Sequence, residues 1–306
     1  MEEGILLTDS SINPLHTFLR GIVDYAGLFP PAGLDMATAV RNYAEYRNGP
    51  NAWMLGSFIV PVSRLDEFSI SAEDVIQSKA HSPWKLSVLV SQDFEKEMSI
   101  VRDFNKRNGP ASAAVGAIET KASSVEEIKH LAQQKPADME LYTELSVGPD
   151  PQPLISAIAA TGLRAKVRTG GTSTEMFPSS AELARFIHEC VATGVPFKAT
   201  AGLHHPVRST YRLTYAADSS SGTMFGFLNV FLAAAFERKG MGMKDLTEVL
   251  EEQSADAFRF ENGGVRWREH QLTNTDLETT RRTVATTFGS CSFREPVDDL
   301  MALGLL

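Results

Sequence analysis

LRAKVRTGG (163–171) and VPFKATAGLHHPVR (195–208), joined through SAELARFIHECVAT (180–193), decide how this chain folds. Each outer segment is short, carries a lysine in its middle and breaks into Thr-Gly-Gly or Thr-Ala-Gly, as a strand does where it leaves a sheet. Side chains alternate across a strand with period 2, so Lys166 and Arg168 share one face of the first strand and Lys198 and Thr200 one face of the second. The insert has helical spacing and is long enough for a crossover, which makes the two strands parallel neighbours. Three cations, Lys166, Arg168 and Lys198, then converge on one small volume.

The same alternation extends in both directions. Strand-like runs occur at 21–28 (GIVDYAGL), 53–61 (WMLGSFIVP), 84–91 (WKLSVLVS), 112–121 (SAAVGAIETK) and 139–147 (MELYTELSV). Helical patterns over 35–47, 63–79, 93–107 and 153–160 follow four of these runs, and Ser123 with Glu126 reads as a capping box ahead of another helix. After the seventh strand come a loop (204–221) and a very apolar helix (223–239). The eighth unit is irregular. Residues 257–261 read as its strand, Asn262-Gly263-Gly264 as a hairpin turn, and 275–287 and 296–303 as closing helices. Seven βα units and an eighth argue for a single-domain α/β (β/α)8 TIM barrel with an irregular eighth unit and a C-terminal helix. An open doubly wound sheet is the alternative, but no GxGxxG follows any strand to support its dinucleotide-binding form.

Composition narrows the function. The 306 residues are 43% hydrophobic and 22% charged, with a net charge of −9, which argues against a nucleic-acid partner. The two cysteines, Cys190 and Cys291, form neither a disulfide framework nor a metal spacing. The start MEEGILLTDSS lacks the order of a signal peptide, and the apolar run 225–236 is interrupted by Asn229 and too short to span a membrane. A cytoplasmic location is expected. The apolar helix is expected to be wedged between the barrel and either a neighbouring helix or another subunit of a homo-oligomer.

Barrel enzymes keep their chemistry at the C-terminal ends of the strands. The polar residues there are Asp24, Ser91, Gln92, Glu119, Lys121, Glu144, Lys166, Arg168, Thr169, Lys198, Thr200, His204 and His205. Two ammonium groups a few ångströms apart cannot both stay charged cheaply, so one pKa falls. Lys166-Val-Arg-Thr169-Gly170 and Lys198-Ala-Thr-Ala-Gly202 resemble the paired lysine motifs of the class I deoxyribose-phosphate aldolase family of (β/α)8 barrels, over residues 163–208. In that family the sixth-strand lysine forms a Schiff base with the substrate carbonyl, and the seventh-strand lysine keeps it partly unprotonated. The resemblance implies Lys166 as nucleophile, Lys198 as its tuner and no cofactor; the family's acidic proton-transfer residue has no clear counterpart, and Glu119 and Glu144 are the candidates. A small anionic metabolite, phosphorylated or carboxylated, is the expected partner.

Other readings compete. The three cations could pair with Glu119 and Glu144 as a structural ion network, or form a non-catalytic site that only binds a small anion. His204 and His205 with Glu144 could hold a metal ion for a hydrolase or isomerase, although adjacent histidines on a regular strand face opposite ways. Gly170 and Gly171 offer backbone N–H groups to an oxyanion, or simply turn the chain. Asp24 reads as an acid or base, or as a solvent-facing loop residue. Phe288-Gly-Ser-Cys superficially resembles the small-residue phosphate loop of aldolase barrels, and Cys291 reads as a structural thiol.

Overall fold

The computed structural model describes residues 13–76, 83–91, 93–108, 112–148, 150–261 and 263–306. The N-terminal stretch read for a signal peptide, Gln92 and Asn262 lie outside the described residues. Eight parallel strands close into a barrel: β1 (Val23–Tyr25), β2 (Leu55–Pro61), β3 (Trp84–Leu89), β4 (Ala113–Lys121), β5 (Glu140–Leu145), β6 (Arg164–Arg168), β7 (Phe197–Thr200) and β13 (Ala285–Ser290). They follow one another around the barrel in chain order, and β13 closes the ring between β7 and β1. The crossover helices between strands include α2 (Met36–Asn48), α3 (Leu65–Ile76), α4 (Phe94–Asn108), α5 (Val125–Gln134), α6 (Gln152–Thr161) and α7 (Ser180–Thr193).

The eighth strand is not where the sequence placed it. Residues Arg259–Glu261 (β10) pair with β11 (Gly264–Trp267), which pairs with β12 (His270–Thr273), in a small antiparallel sheet outside the barrel. The barrel strand begins inside the segment read as a helix over 275–287 and runs on to Ser290. Helix α10 (Asn274–Thr283) ends after Arg281 and Arg282 in its last turn, and the Ala-Thr-Thr-Phe from Ala285 suits a strand better than a helix. The cap of α5 also moves by one residue. Ser124 accepts from Glu127 N–H, while the Glu127 carboxylate reaches back to Ser123.

The loop after β7 contains a two-stranded hairpin, β8 (Ser209–Arg212) with β9 (Ser221–Met224). It is followed by α8 (Phe227–Arg238) and α9 (Met243–Glu251), and α11 (Arg294–Ala302) ends the chain. From Phe227 to Phe236 every residue of α8 is buried. It packs against α7, α9, α10 and β13, so neighbouring elements of the same chain cover its apolar surface. Asn229 sits in that helix without an unmet hydrogen bond. Its amide donates to the Val249 and Glu252 carbonyls, both at 2.8 Å, and its oxygen accepts from Arg208 N–H at 2.9 Å.

The two faces of the barrel wall differ in chemistry. Outward-pointing Phe58, Val60, Leu86, Val88, Ile118, Leu141, Val167, Phe197 and Phe288 are buried in the apolar core. Alternate positions in the same strands are Asp24, Ser87, Glu119, Glu144, Lys166, Lys198 and Thr287, so polar groups occupy much of the interior. Arg281 secures the opposite end of the ring. It donates to the carbonyls of Phe18 and Arg20, before β1, and of Ala285, at the start of β13. Among the described residues, no helix is long and apolar enough to cross a membrane.

Candidate active site

Parallel register places Glu144 beside Lys166, and Lys166 beside Lys198. Glu119 stands one strand further on, and its carboxylate lies between the two ammonium groups. Its Oε1 accepts from Lys198 Nζ at 2.5 Å and its Oε2 is 2.9 Å from Lys166 Nζ. Lys198 also donates to Asp24 Oδ2 at 2.7 Å, and Lys166 lies 2.9 Å from Glu144 Oε2. Arg168 Nε completes the chain at 3.2 Å from Glu144 Oε1. The order Asp24–Lys198–Glu119–Lys166–Glu144–Arg168 alternates in sign and balances three positive against three negative charges.

Smaller donors saturate the carboxylates. Ser87 Oγ donates to Glu119 Oε1 at 2.6 Å, Ser57 N–H to Asp24 Oδ1 at 2.7 Å, and Thr287 Oγ1 to Asp24 Oδ2 at 2.7 Å. Tyr142 presents its ring to Lys198, with Nζ 5.3 Å from the centroid. Burial pushes its hydroxyl up to about 12, so it stays neutral. Such saturation is what allows charges to remain inside a protein, since removing a carboxylate or ammonium from water costs several kcal/mol unless partners replace the lost solvation.

Lys198, read as the tuner of Lys166, is itself shifted by its neighbours. Burial opposes its charge, but Asp24 and Glu119 outweigh burial and raise Lys198 above the ordinary lysine range. Burial likewise opposes ionisation of Glu119, yet Lys166 and Lys198 hold it well below the usual carboxylate range. Lys166 does the same for Glu144. The inserted carboxylate is the physical reason, because each ammonium faces two anions before it faces the other ammonium.

Two cavities open at this end of the barrel, one of about 1360 Å³ and a narrower one of about 320 Å³. They share a wall formed by Lys166, Glu119, Glu144, Arg168 and Lys121, whereas Lys198 and Asp24 line neither. Asp24 is therefore a buried partner of Lys198 rather than a loop residue facing solvent. Gly171, Thr200, Gly202, His204 and His205 line the narrower cavity. Thr169 and Gly170 line neither cavity and brace the strand ends instead. Thr169 Oγ1 donates to the Ala201 carbonyl at 2.6 Å. A Cβ on Gly170 would stand 2.9 Å from Gly202 Cα, and Gly202 itself has φ +74°, so both positions require glycine for close approach.

The adjacent histidines each take a separate carboxylate. His204 Nδ1 is 2.8 Å from Glu295 Oε2, and His205 Nδ1 is 2.6 Å from Asp299 Oδ2. The ring of His205 also stacks on Tyr211, with centroids 3.5 Å apart. Glu144 is engaged by Lys166 and Arg168, so these three residues do not converge as ligands. Among the described residues, no group of three or more His, Cys, Asp or Glu side chains could hold a metal ion. Cys291 is buried, and burial raises its thiol above the ordinary range.

The sequence reading did not include Ser87, Thr287, Tyr142, Tyr215 or Glu295. Strand alternation marks Ser87 and Tyr142 as inward-facing once β3 and β5 are placed. Thr287 was hidden by the helix assignment, and Glu295 and Tyr215 reach the site from elements with no strand-end signature. No protein-family profile, curated protein or solved structure matches this chain significantly.

Proposed function

We propose that this barrel is a class I lyase of the aldolase type, in which Lys166 forms a Schiff base with a small carbonyl compound bearing a carboxylate or phosphate. The observation that carries this reading is the unequal placement of the two lysines. Lys166, only 4% exposed, borders both cavities, whereas Lys198, 1% exposed, lies behind it between Asp24 and Glu119. A nucleophile must reach substrate, and its supporting charge need not.

The network suggests how the reaction is prepared. Glu144, 2.9 Å from Lys166 Nζ and on the cavity wall, receives the proton that the amine loses before it adds to a carbonyl. Lys198 shares Glu119 and so reduces the negative charge that would otherwise hold that proton on Lys166. Addition, followed by loss of water, returns a positive charge to the same nitrogen as an iminium ion, where Glu119 and Glu144 stabilise it. Arg168, about one-third exposed at the cavity edge, recognises the anionic group of the substrate.

Borohydride added with small aldehydes, ketones and keto acids should reduce this imine to a stable adduct. Mass spectrometry is expected to place the adduct on the peptide containing Lys166, and Lys166→Met to abolish it. An adduct on Lys198 would keep the chemistry and reverse the roles. No adduct from the whole set would end the Schiff-base reading and leave the balanced charges as a structural network.

A further inference from the structure

We infer that His204, held by Glu295, is the group that moves a proton at substrate carbon, a role that rests on the Schiff-base reading of Lys166. His204 follows β7 directly, is 8% exposed and lines the narrower cavity that Lys166 also borders. Its protonation pattern follows from its neighbours. Ser290 Oγ lies 3.4 Å from His204 Nδ1 but donates its own proton to the Ser292 carbonyl at 2.7 Å. Glu295 accepts from Tyr215 OH at 3.1 Å and faces His204 Nδ1 at 2.8 Å. Burial opposes ionisation of Glu295, yet these hydrogen bonds hold it below the usual carboxylate range. Both groups near Nδ1 are therefore acceptors, so Nδ1 carries a hydrogen and Nε2 is the ring atom left to exchange a proton with a ligand. Among the described residues, Nε2 has no hydrogen-bond partner.

That arrangement supplies a base separate from the one that frees the amine. With substrate joined to Lys166 as an iminium ion, His204 Nε2 takes a proton from the carbon next to the iminium carbon. The C–H electron pair becomes a C=C bond, and the C=N π pair moves to nitrogen, giving a neutral enamine. The charge moves to the imidazolium, where Glu295 balances it. Returning the proton to carbon reverses each movement. Glu295 is a positioning residue that fixes the tautomer and stabilises the imidazolium.

Deuterium exchange separates this role from imine formation. In deuterated water, wild-type protein should exchange the α-hydrogens of acetaldehyde, hydroxyacetone or pyruvate and should trap the same compound with borohydride. His204→Asn is expected to retain trapping at Lys166 while exchange falls about 100-fold or more. Glu295→Gln should lower exchange about tenfold at an unchanged trapped fraction, a division that a merely structural role would not produce. His188→Asn is the control for removing a histidine paired to a carboxylate elsewhere, at Glu237, and should leave both readings alone. Matching melting temperatures establish that each variant is folded. Should His204→Asn and wild type exchange at the same rate, the inference is overturned while the Schiff base stands. If His204→Asn loses trapping and exchange together, His204 acts in substrate binding or imine formation and the carbon-proton role is overturned. Wild-type protein that traps nothing from the whole set of small aldehydes, ketones and keto acids overturns both readings.

Discussion

At Glu119 one carboxylate serves three donors, Lys166, Lys198 and Ser87, within a barrel interior that excludes most solvent. Glu119→Gln replaces an anion with a neutral amide of similar shape and leaves two ammonium groups short of a counter-charge. Breaking one partner of a buried ion pair is costly because the surviving charge remains desolvated. We expect Glu119→Gln to lose about 3–5 kcal/mol of stability at neutral pH, measured by urea unfolding. A loss below about 1 kcal/mol would show that water reaches these ammonium groups and that the network is solvated. Much of this arrangement was legible in the residues themselves. Lys166 and Arg168 shared one face of their strand by alternation, and Lys198, Glu119 and Glu144 were among the polar residues toward the C-terminal ends of theirs. The sequence did not reveal that Glu119 would lie between the lysines rather than beside them, because that depends on the relative register of β4, β5, β6 and β7.

Among the elements, α8 shows how a polar residue can be required inside an apolar helix. Asn229 was read as an interruption of an apolar run, but its amide joins the loop after β7 to the end of α9. Asn229→Leu would add apolar surface and remove three hydrogen bonds, taking this partner from the Glu252 carbonyl and the Arg208 N–H and leaving the Val249 carbonyl only the Glu252 N–H at 3.4 Å. Each buried group left unpaired costs roughly 1–3 kcal/mol, more than added side-chain burial returns in an already packed core. The expected result is a loss of about 2–5 kcal/mol by chemical denaturation. An unchanged or increased stability would mean that water replaces the amide. Strands β2 to β7 were legible because each combines an apolar outer face with a polar break at its end. Strand β13 was not, because Thr283-Val-Ala-Thr-Thr continues smoothly from an amphipathic helix and places no glycine or proline between them. Closing the barrel decides the matter, since β1 and β7 both need a parallel neighbour.

Across the whole molecule, the ion network joins almost every barrel strand, from Asp24 on β1 through Ser87, Glu119, Glu144, Lys166 and Lys198 to Thr287 on β13. Its ionisation should therefore be visible in global stability. Glu119 and Glu144 have folded-state values depressed below their ordinary 4.5. Their contribution is fully present above that pH and is lost as pH falls toward the depressed values, because the unfolded chain takes up protons first. Lys198 has a folded value raised above 10.5, so its contribution is fully present below that pH and is lost only as pH rises through the raised value. The network thus gives a plateau from about pH 5 to pH 10 with a decline on the acid side. Each depressed carboxylate adds about 1.4 kcal/mol of lost stability per pH unit while its unfolded form is protonated and its folded form is not. Urea unfolding of wild type and Glu119→Gln between pH 7 and pH 3 checks this directly. The stability gap between the two proteins should be constant down to about pH 5 and should narrow below it. A gap that stays constant to pH 3 would mean that Glu119 keeps its ordinary acidity in the folded barrel and that its ionisation adds nothing to holding the strands together.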